Sequence, residues 1–320
     1  MASQEIVWPK KTRELRTRMM DSRRWNDFPF REGDIVVDTW AKSGTTLTQQ
    51  ILAQLVFGGA EDAPSGHKIS PWIDLAPRPL DEMIAQVEAQ THRRFLKSHL
   101  PLDALAISPK AKYIYVGRDV RDVAWSIYNH QSGYTDLFLE MLNSVPDSTG
   151  PKIARPECDV REFYRCFLET GGVLDSETGG PIGAHVGLAE FWEHTQSFWN
   201  CRHAPNLLMV HFANLIRDLP GEIRRITQFL DMELDEALLP AIVEHCGIDF
   251  MRDAVKADAE EDARSNMVFS GGADVFYNKG TNGRWKEILS ADEIALADEI
   301  AAKKLAPDCA HWLKTGEMPD

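Results

Sequence analysis

The chain has 320 residues, 43% of them hydrophobic, with a formal charge of −14 and a sequence pI near 5.2. That composition supports a sizeable buried core and argues against disorder. It excludes a broad nucleic-acid-binding face, which needs a basic surface, so any anionic ligand must be held by a local cluster of Lys and Arg against the background field. No stretch is long and apolar enough to span a membrane. The five cysteines, Cys158, Cys166, Cys201, Cys246 and Cys309, are scattered and form no C-x-x-C pair. Reduced thiols in a cytoplasmic protein are the expectation. The start of the chain lacks a signal-peptide apolar core, and Glu5 and Glu14 interrupt the early basic run that a transit peptide would need.

The first element is a strand over Ile35–Val37, a short β-rich run of the kind buried on both faces. A tight turn and a helix follow. Leu47, Ile51 and Leu55 recur four apart on one helix face, and Gly58 and Gly59 stop it. A second strand is expected over Arg94–Ser98, closed by Pro101, and a third over Tyr113–Val116. Asp119 can cap the next helix, with Asp122 at the position of a capping-box partner. Between Ser132 and Gly187 the periodicity weakens amid Gly, Pro and Ser, so we expect an irregular insertion that acts as a lid. A fourth strand over Leu207–His211 leads to a helix with Pro220 in its first turn and Ile223, Ile226 and Leu230 facing inward. Ser290 and Glu293 form a capping box for a C-terminal helix that ends in Lys303 and Lys304. Strands alternating with helices predict one α/β domain over 1–320, a central parallel sheet flanked by helices. Residues 1–33 are read as a segment packed on it.

The turn after the first strand reads KSGTT. Gly44 aims backbone N–H groups over a helix N-terminus, and Lys42, Ser43, Thr45 and Thr46 add a charge and hydroxyl donors. This is an anion cradle, but the nucleotide-hydrolase order G-x-x-x-x-G-K-S/T is absent. In KSHLP, Lys97 and His99 share one face of a strand at its C-terminal end, the edge where open α/β sheets bind ligands. A cation beside an imidazole suits reaction on an anionic group with His as general base. Arg118 sits where the third strand ends, placed to fork onto a phosphate, with Ser126 two helical turns on. NKGTNGRW carries Lys279, Gly280 and Arg284 in a Gly-rich loop. Each segment alone has an ordinary explanation: a helix N-cap, a surface Lys with a structural His, an Arg paired to Asp119 or Asp122, a solvated loop. Their joint occurrence is much harder to assign to chance.

Together these segments resemble the cytosolic sulfotransferase family. TWAKSGTTL from Thr39 is similar to the family's T-Y-P-K-S-G-T-T-W loop, KSHLP from Lys97 to its K-S/T-H-L/F-P element, and GRDVRDVAWS to its Arg with a Ser eight residues on. NKGTNGRW from Asn278 is similar to its R-K-G-x-x-G-x-W element. The matches run in the family's order from about Asp34 to Trp285. The resemblance implies a P-loop-like strand-turn-helix that binds the phosphosulfate of 3′-phosphoadenosine 5′-phosphosulfate (PAPS), with adenosine 3′,5′-bisphosphate (PAP) as product and no metal. It implies that Lys42 contacts the bridging region of the donor, that Ser43, Gly44, Thr45 and Thr46 bind the 5′-phosphate, and that Lys97 steadies developing charge. His99 would take the acceptor's proton, Arg118 and Ser126 would hold the 3′-phosphate, and Lys279 and Gly280 would close over it. The implied acceptor is a small, hydrophobic molecule with a hydroxyl or amine.

Four positions depart from the family pattern. Leu47 and Ile248 replace aromatics on the two adenine faces, Asn278 replaces an Arg, and Phe212 replaces a Tyr. The family's dimerisation segment is not evident near DAVKADAEED, which leaves the oligomeric state open. Expected acceptor-side residues are Trp72, Phe138, Phe191 and Trp192, with 132–187 as the acceptor lid. CRH at Cys201–His203 has no convincing metal-site spacing. Two alternatives are a nucleotide-dependent phosphotransferase, distinguished by Mg²⁺ dependence, and a regulatory nucleotide-binding protein that keeps the cradle without the chemistry.

Overall fold

The protein was analysed as a computed structural model, which describes residues 9–148, 150–173, 180–181 and 183–319. Four strands, β1 (Asp34–Thr39), β2 (Phe95–Ser98), β3 (Ala111–Gly117) and β4 (Leu207–His211), form a parallel sheet in the order β2-β1-β3-β4. The expected strands are all present, within one or two residues at their ends. Val37 pairs with Lys97, Thr39 with Val116, and Gly117 with His211. After β1 the chain moves to one side of it for β2 and then to the other for β3. The crevice at the carboxyl ends of β1 and β3 is therefore a topological switch point, where such sheets bind ligands.

Strand side chains alternate between two cores, which is why these runs read as continuously apolar. Val36, Leu96, Tyr113 and Tyr115 belong to one core; Ile35, Val37, Phe95, Ile114 and Val116 belong to the other. The first core also takes Met19, Met20, Trp25 and Phe28 from the N-terminal segment, whose residues 1–8 lie outside the described chain. The helix after β1 runs Thr45–Val56 and buries Ile51 fully, while Leu47 and Leu55 are half-buried. A short helix, Phe212–Arg217, follows β4, and the next helix runs Leu219–Phe229 with Pro in its first turn and Ile223 and Ile226 buried. The helix Pro307–Thr315 lays Trp312 against the end of β3. This close approach requires a glycine at Gly117, where a Cβ would lie 2.3 Å from the indole.

Two local expectations change. The stretch 132–187 contains two helices, Asp136–Asn143 and Val160–Thr170, where an irregular insertion was expected. The second has complete helix punctuation: Asp159 accepts from the N–H groups of Arg161 and Glu162, and Gly171 ends the helix at φ 63°. It buries Phe163, Tyr164, Phe167 and Leu168, which recur on one helix face, and the rings of Phe163 and Phe167 stack. Residues 149, 174–179 and 182 of the expected lid lie outside the described chain. The second change concerns Asp122. It does not complete a capping box: Asp119 caps the helix Val120–Ser132 through the Arg121 N–H, while Asp122 accepts from the distant Gly283 N–H at 2.7 Å. The box at Ser290 and Glu293 forms as read.

Candidate active site

The loop that follows β1 is pinned from behind. Trp40 is 1% exposed, donates its indole N–H to the Ala189 carbonyl at 2.9 Å and packs edge-on to Phe167 and Phe191. Lys42 then takes φ 66°, rare for a residue with a Cβ, and Gly44 takes φ 123°. A Cβ on Gly44 would lie 2.8 Å from Phe212 Cδ2, so this position tolerates only glycine. Gly44 is the helix N-cap and no side chain caps it. The first N–H groups of the helix, with their share of the helix dipole, stay available to an anion.

A single cleft of about 450 Å³ lies over this turn, at the switch point. It brings together Lys42, Gly44, Thr45, Thr46, Lys97, His99, Arg118, Ser126, Lys279 and Gly280. These come from all the motif segments singled out in the sequence. Ser43 is the exception, 1% exposed and outside the cleft lining. Thr45 bonds at 2.6 Å to the hydroxyl of Thr39 at the end of β1, which fixes the turn to the strand.

His99 is oriented by the backbone. Its Nδ1 lies 2.6 Å from the Thr39 carbonyl, which can only accept, so Nδ1 carries the proton and Nε2 keeps its lone pair. Burial, then the neighbouring Lys97 charge, holds the ring well below the ordinary imidazole range, and it is neutral at pH 7. Lys97 lies 4.5 Å over the Trp72 ring, a cation–π contact, and desolvation brings its ammonium down to about 8. Desolvation, with the charges of Arg118 and Lys97, brings Lys42 down to about 7.

Arg118 does not pair with Asp119, which is engaged by Arg121. It donates to the carbonyls of Lys42 (2.8 Å) and Thr281 (3.1 Å) and to the Asn282 side chain (3.0 Å), and it lies 4.3 Å over the Phe212 ring. Arg118 and Asp122 thereby strap the 279–283 segment across the loop of Lys42. Three N–H bonds leave part of the five-donor fork unspent. Leu47, Ile248 and Tyr277 pack as one apolar wall of the cleft, so an aromatic, Tyr277, stands beside two of the positions that depart from the family pattern.

Of the expected acceptor-side aromatics, only Trp72 reaches the cleft. Phe191 and Trp192 are 1% exposed in the core, and Phe138 packs on Tyr134 at 4.9 Å. Three contributors escaped the sequence reading. Asp74, fully buried, accepts from the Trp72 indole (2.6 Å), the Trp25 indole (3.1 Å) and the His99 backbone N–H (3.2 Å), fixing the wall around His99. His130 stands 3.3 Å from Lys42 Nζ, and Tyr134 lines the cleft beyond it. His130 lies four residues after Ser126 on the same helix, so the i, i+4 spacing was a usable signal. Nothing local marks Asp74. Among the described residues, no group of His, Cys, Asp or Glu could hold a metal, and no helix is long and apolar enough to cross a membrane.

Residues 32–307 match the sulfotransferase domain family. The chain is 29% identical over 309 residues to a glycolipid sulfotransferase of Mycobacterium tuberculosis, covering 94% of each protein. It is 25% identical over 319 residues to sulfotransferase 1B1 of Mus musculus, covering 96% of each. The fold is shared with retinol dehydratase in complex with androsterone and inactive cofactor PAP (TM-score 0.65, 22% identity, 89% of this chain and 84% of that one). It is also shared with mouse sulfotransferase SULT7A1 complexed with PAP (TM-score 0.63, 20% identity, 91% and 92%). These matches displace the phosphotransferase alternative: the chain belongs to the sulfotransferase family.

Proposed function

We propose that the donor is PAPS, that the acceptor is a small molecule with a hydroxyl group, and that His99 is the general base. The observation that carries this reading is the orientation of His99, whose Nδ1 proton is committed to Thr39 while its other nitrogen stands in the same cleft as Lys42 and Lys97. The helix N-terminus at Thr45 and Thr46 holds the donor's 5′-phosphate, with Lys42 beside the bridging oxygen. Ser43, enclosed in the turn, acts by shaping it. Arg118, Ser126, Lys279 and Gly280 hold the 3′-phosphate. Leu47, Ile248 and Tyr277 take the adenine.

In the transfer step His99 Nε2 accepts the acceptor's hydroxyl proton as the oxygen bonds to sulfur. The bond from sulfur to the bridging oxygen breaks in line, and that oxygen leaves with the 5′-phosphate of PAP. Lys42 offsets the charge that develops on it, and Lys97 offsets charge on the sulfuryl oxygens. No part of this chemistry calls for a metal. The span 132–187 is assigned to the acceptor side as a cover that limits water, which would otherwise compete for the donor. A cytoplasmic location follows from the thiol pattern and the resemblance to the cytosolic enzymes.

The test is calorimetric titration with PAP in the absence of metal, beside ATP with Mg²⁺. Tight binding of the bisphosphate alone is expected. Preference for ATP with Mg²⁺ would overturn the donor assignment.

A further inference from the structure

Lys42 is gripped at both ends. Its backbone takes φ 66°, and its carbonyl accepts from Arg118 Nη1 at 2.8 Å. Its side chain reaches away from that contact, and Nζ stands 3.3 Å from Nδ1 of His130 and 5.0 Å over the Phe276 ring. His130 lies near the end of the helix Val120–Ser132, and an aromatic box holds its imidazole. Tyr134 stands edge-on at 5.3 Å, Phe269 at 4.8 Å and Phe276 at 6.0 Å. Rings packed this way leave the imidazole little room to swing away from Lys42.

The other groups around Lys42 oppose its charge. Lys97, Arg118, Lys279 and Arg284 line the same cleft, all cations, and Asp122 is the only carboxylate among the described lining residues. Asp122 is spent on the Gly283 N–H at 2.7 Å. Burial, then the charges of Arg118 and Lys97, bring the Lys42 ammonium down to about 7. His99 and His130 are both held well below the ordinary imidazole range, chiefly by burial, and are neutral. Burial pushes the Tyr134 phenol up, so it stays protonated.

A neutral imidazole keeps one nitrogen lone pair, and an ammonium can only donate, so Nδ1 of His130 accepts whenever Lys42 is charged. A hydrogen bond from an ion is about twice as strong as one between neutral groups. The contact therefore favours the ammonium over the neutral amine, whichever tautomer His130 takes when Lys42 is uncharged. The face of Phe276 acts in the same direction. A carboxylate in the place of His130 would hold the ammonium more tightly but would repel an anionic ligand; a neutral acceptor holds it without that opposition.

We propose that His130 is a positioning residue for Lys42: it accepts from the ammonium and, with Phe276, keeps that charge in the cleft for the anionic ligand. What the charge is used for, at the bridging oxygen of the donor, rests on the sulfotransferase reading; the contact itself does not.

The experiment reads Lys42 directly, by NMR titration of the empty full chain carrying ¹³C at the lysine ε-carbons, the Lys42 signal being the one lost in Lys42→Arg. His130→Phe, which fills the aromatic box without an acceptor, should lower the Lys42 midpoint by about half a pH unit or more. His130→Gln, which supplies an amide oxygen as acceptor, should bring it back toward the wild-type value. In parallel, the ratio of PAP affinity at pH 6 to that at pH 8 should widen about two- to threefold in His130→Phe. A midpoint unmoved or raised in His130→Phe would overturn the assignment, since a merely structural His130 changes affinity alike at every pH and leaves this midpoint in place. An equal fall in His130→Gln would trace the effect to repacking of the box and overturn it as well. A midpoint that falls in His130→Phe and recovers in His130→Gln, in a protein that binds no PAP, would keep His130 as the partner of Lys42 and reject the donor reading.

Discussion

The two ends of the cleft are built differently. The end proposed for the donor is mostly backbone: a glycine turn, an uncapped helix start and an Arg tied to carbonyls of two other segments. The end proposed for the acceptor is mostly side chains, with Trp72, the neighbouring His130 and Tyr134, and Val186 coming from three stretches of chain to line the cleft with His99. A backbone cradle fixes one ligand and tolerates little change, whereas a side-chain wall can be rebuilt for another molecule without disturbing the phosphate contacts. Donor use should therefore be separable from acceptor use.

The strongest challenge to that separation is His99→Ala. Loss of the base should lower transfer by about 10²–10⁴-fold while PAP binds nearly as tightly as to the wild type. Near-normal turnover would remove His99 from the chemistry. A parallel collapse of PAP binding would mean the two ends are one structural unit.

Arg118→Ala acts at the other end and should be smaller. Charge-assisted hydrogen bonds are worth about 1.5–3 kcal/mol, so affinity for PAP should fall about 10–100-fold. Adenosine 5′-phosphate, which lacks the 3′-phosphate, should lose much less. Equal losses for the two nucleotides would count against a 3′-phosphate contact and leave only the strap to Thr281 and Asn282 as the role of Arg118.

The gentlest probe is pH. Lys42 and Lys97 are held down to about 7 and about 8, both below the ordinary Lys value. In the empty protein each is protonated only below its own value, and an anionic ligand favours the protonated form. PAP binding should therefore be tightest near pH 6, weaken as pH rises through 7 to 9, and take up protons in that window. Each ammonium that must be protonated for binding can weaken affinity by at most about tenfold per pH step of one, and a calorimetric series in buffers of different ionisation enthalpy reads the uptake. The empty fold carries the opposite dependence. Between about pH 7 and the ordinary Lys value its unfolded state binds more protons, so these two groups make the protein more stable as pH rises. A binding profile flat from pH 6 to 9 would show that neither ammonium titrates against the ligand.

The same contrast explains what could be read in advance. Strands with both faces buried leave continuous apolar runs, and β1 through β4 fell where those runs lie. The turn after β1 was legible because a turn with φ 123° needs its glycine in place and a helix start needs short polar residues. Val160–Thr170 was missed although Phe163, Tyr164, Phe167 and Leu168 recur on one face and Asp159 and Gly171 marked both of its ends, because the Gly- and Pro-rich sequence on either side was read across it. Phe191 and Trp192 were placed at the acceptor because an aromatic in sequence gives no sign of whether it meets solvent, ligand or core. Asp74 was invisible for a deeper reason. Its role exists only after the N-terminal segment and the end of β2 meet around it, and the carboxylate has no local pattern of its own.

The strap from Arg118 and Asp122 to residues 281–283, and the seat of Trp312 against Gly117, set an order for the life of the chain on the ribosome. The groups proposed to perform the chemistry, Lys42, Lys97 and His99, are made before the strap segment and the helix Pro307–Thr315. The segment proposed to close over the donor, and the helix that seals the end of β3, emerge after them. A nascent chain therefore holds the groups proposed to react before it holds those proposed to close over the donor, and donor capture waits on residues 281–315.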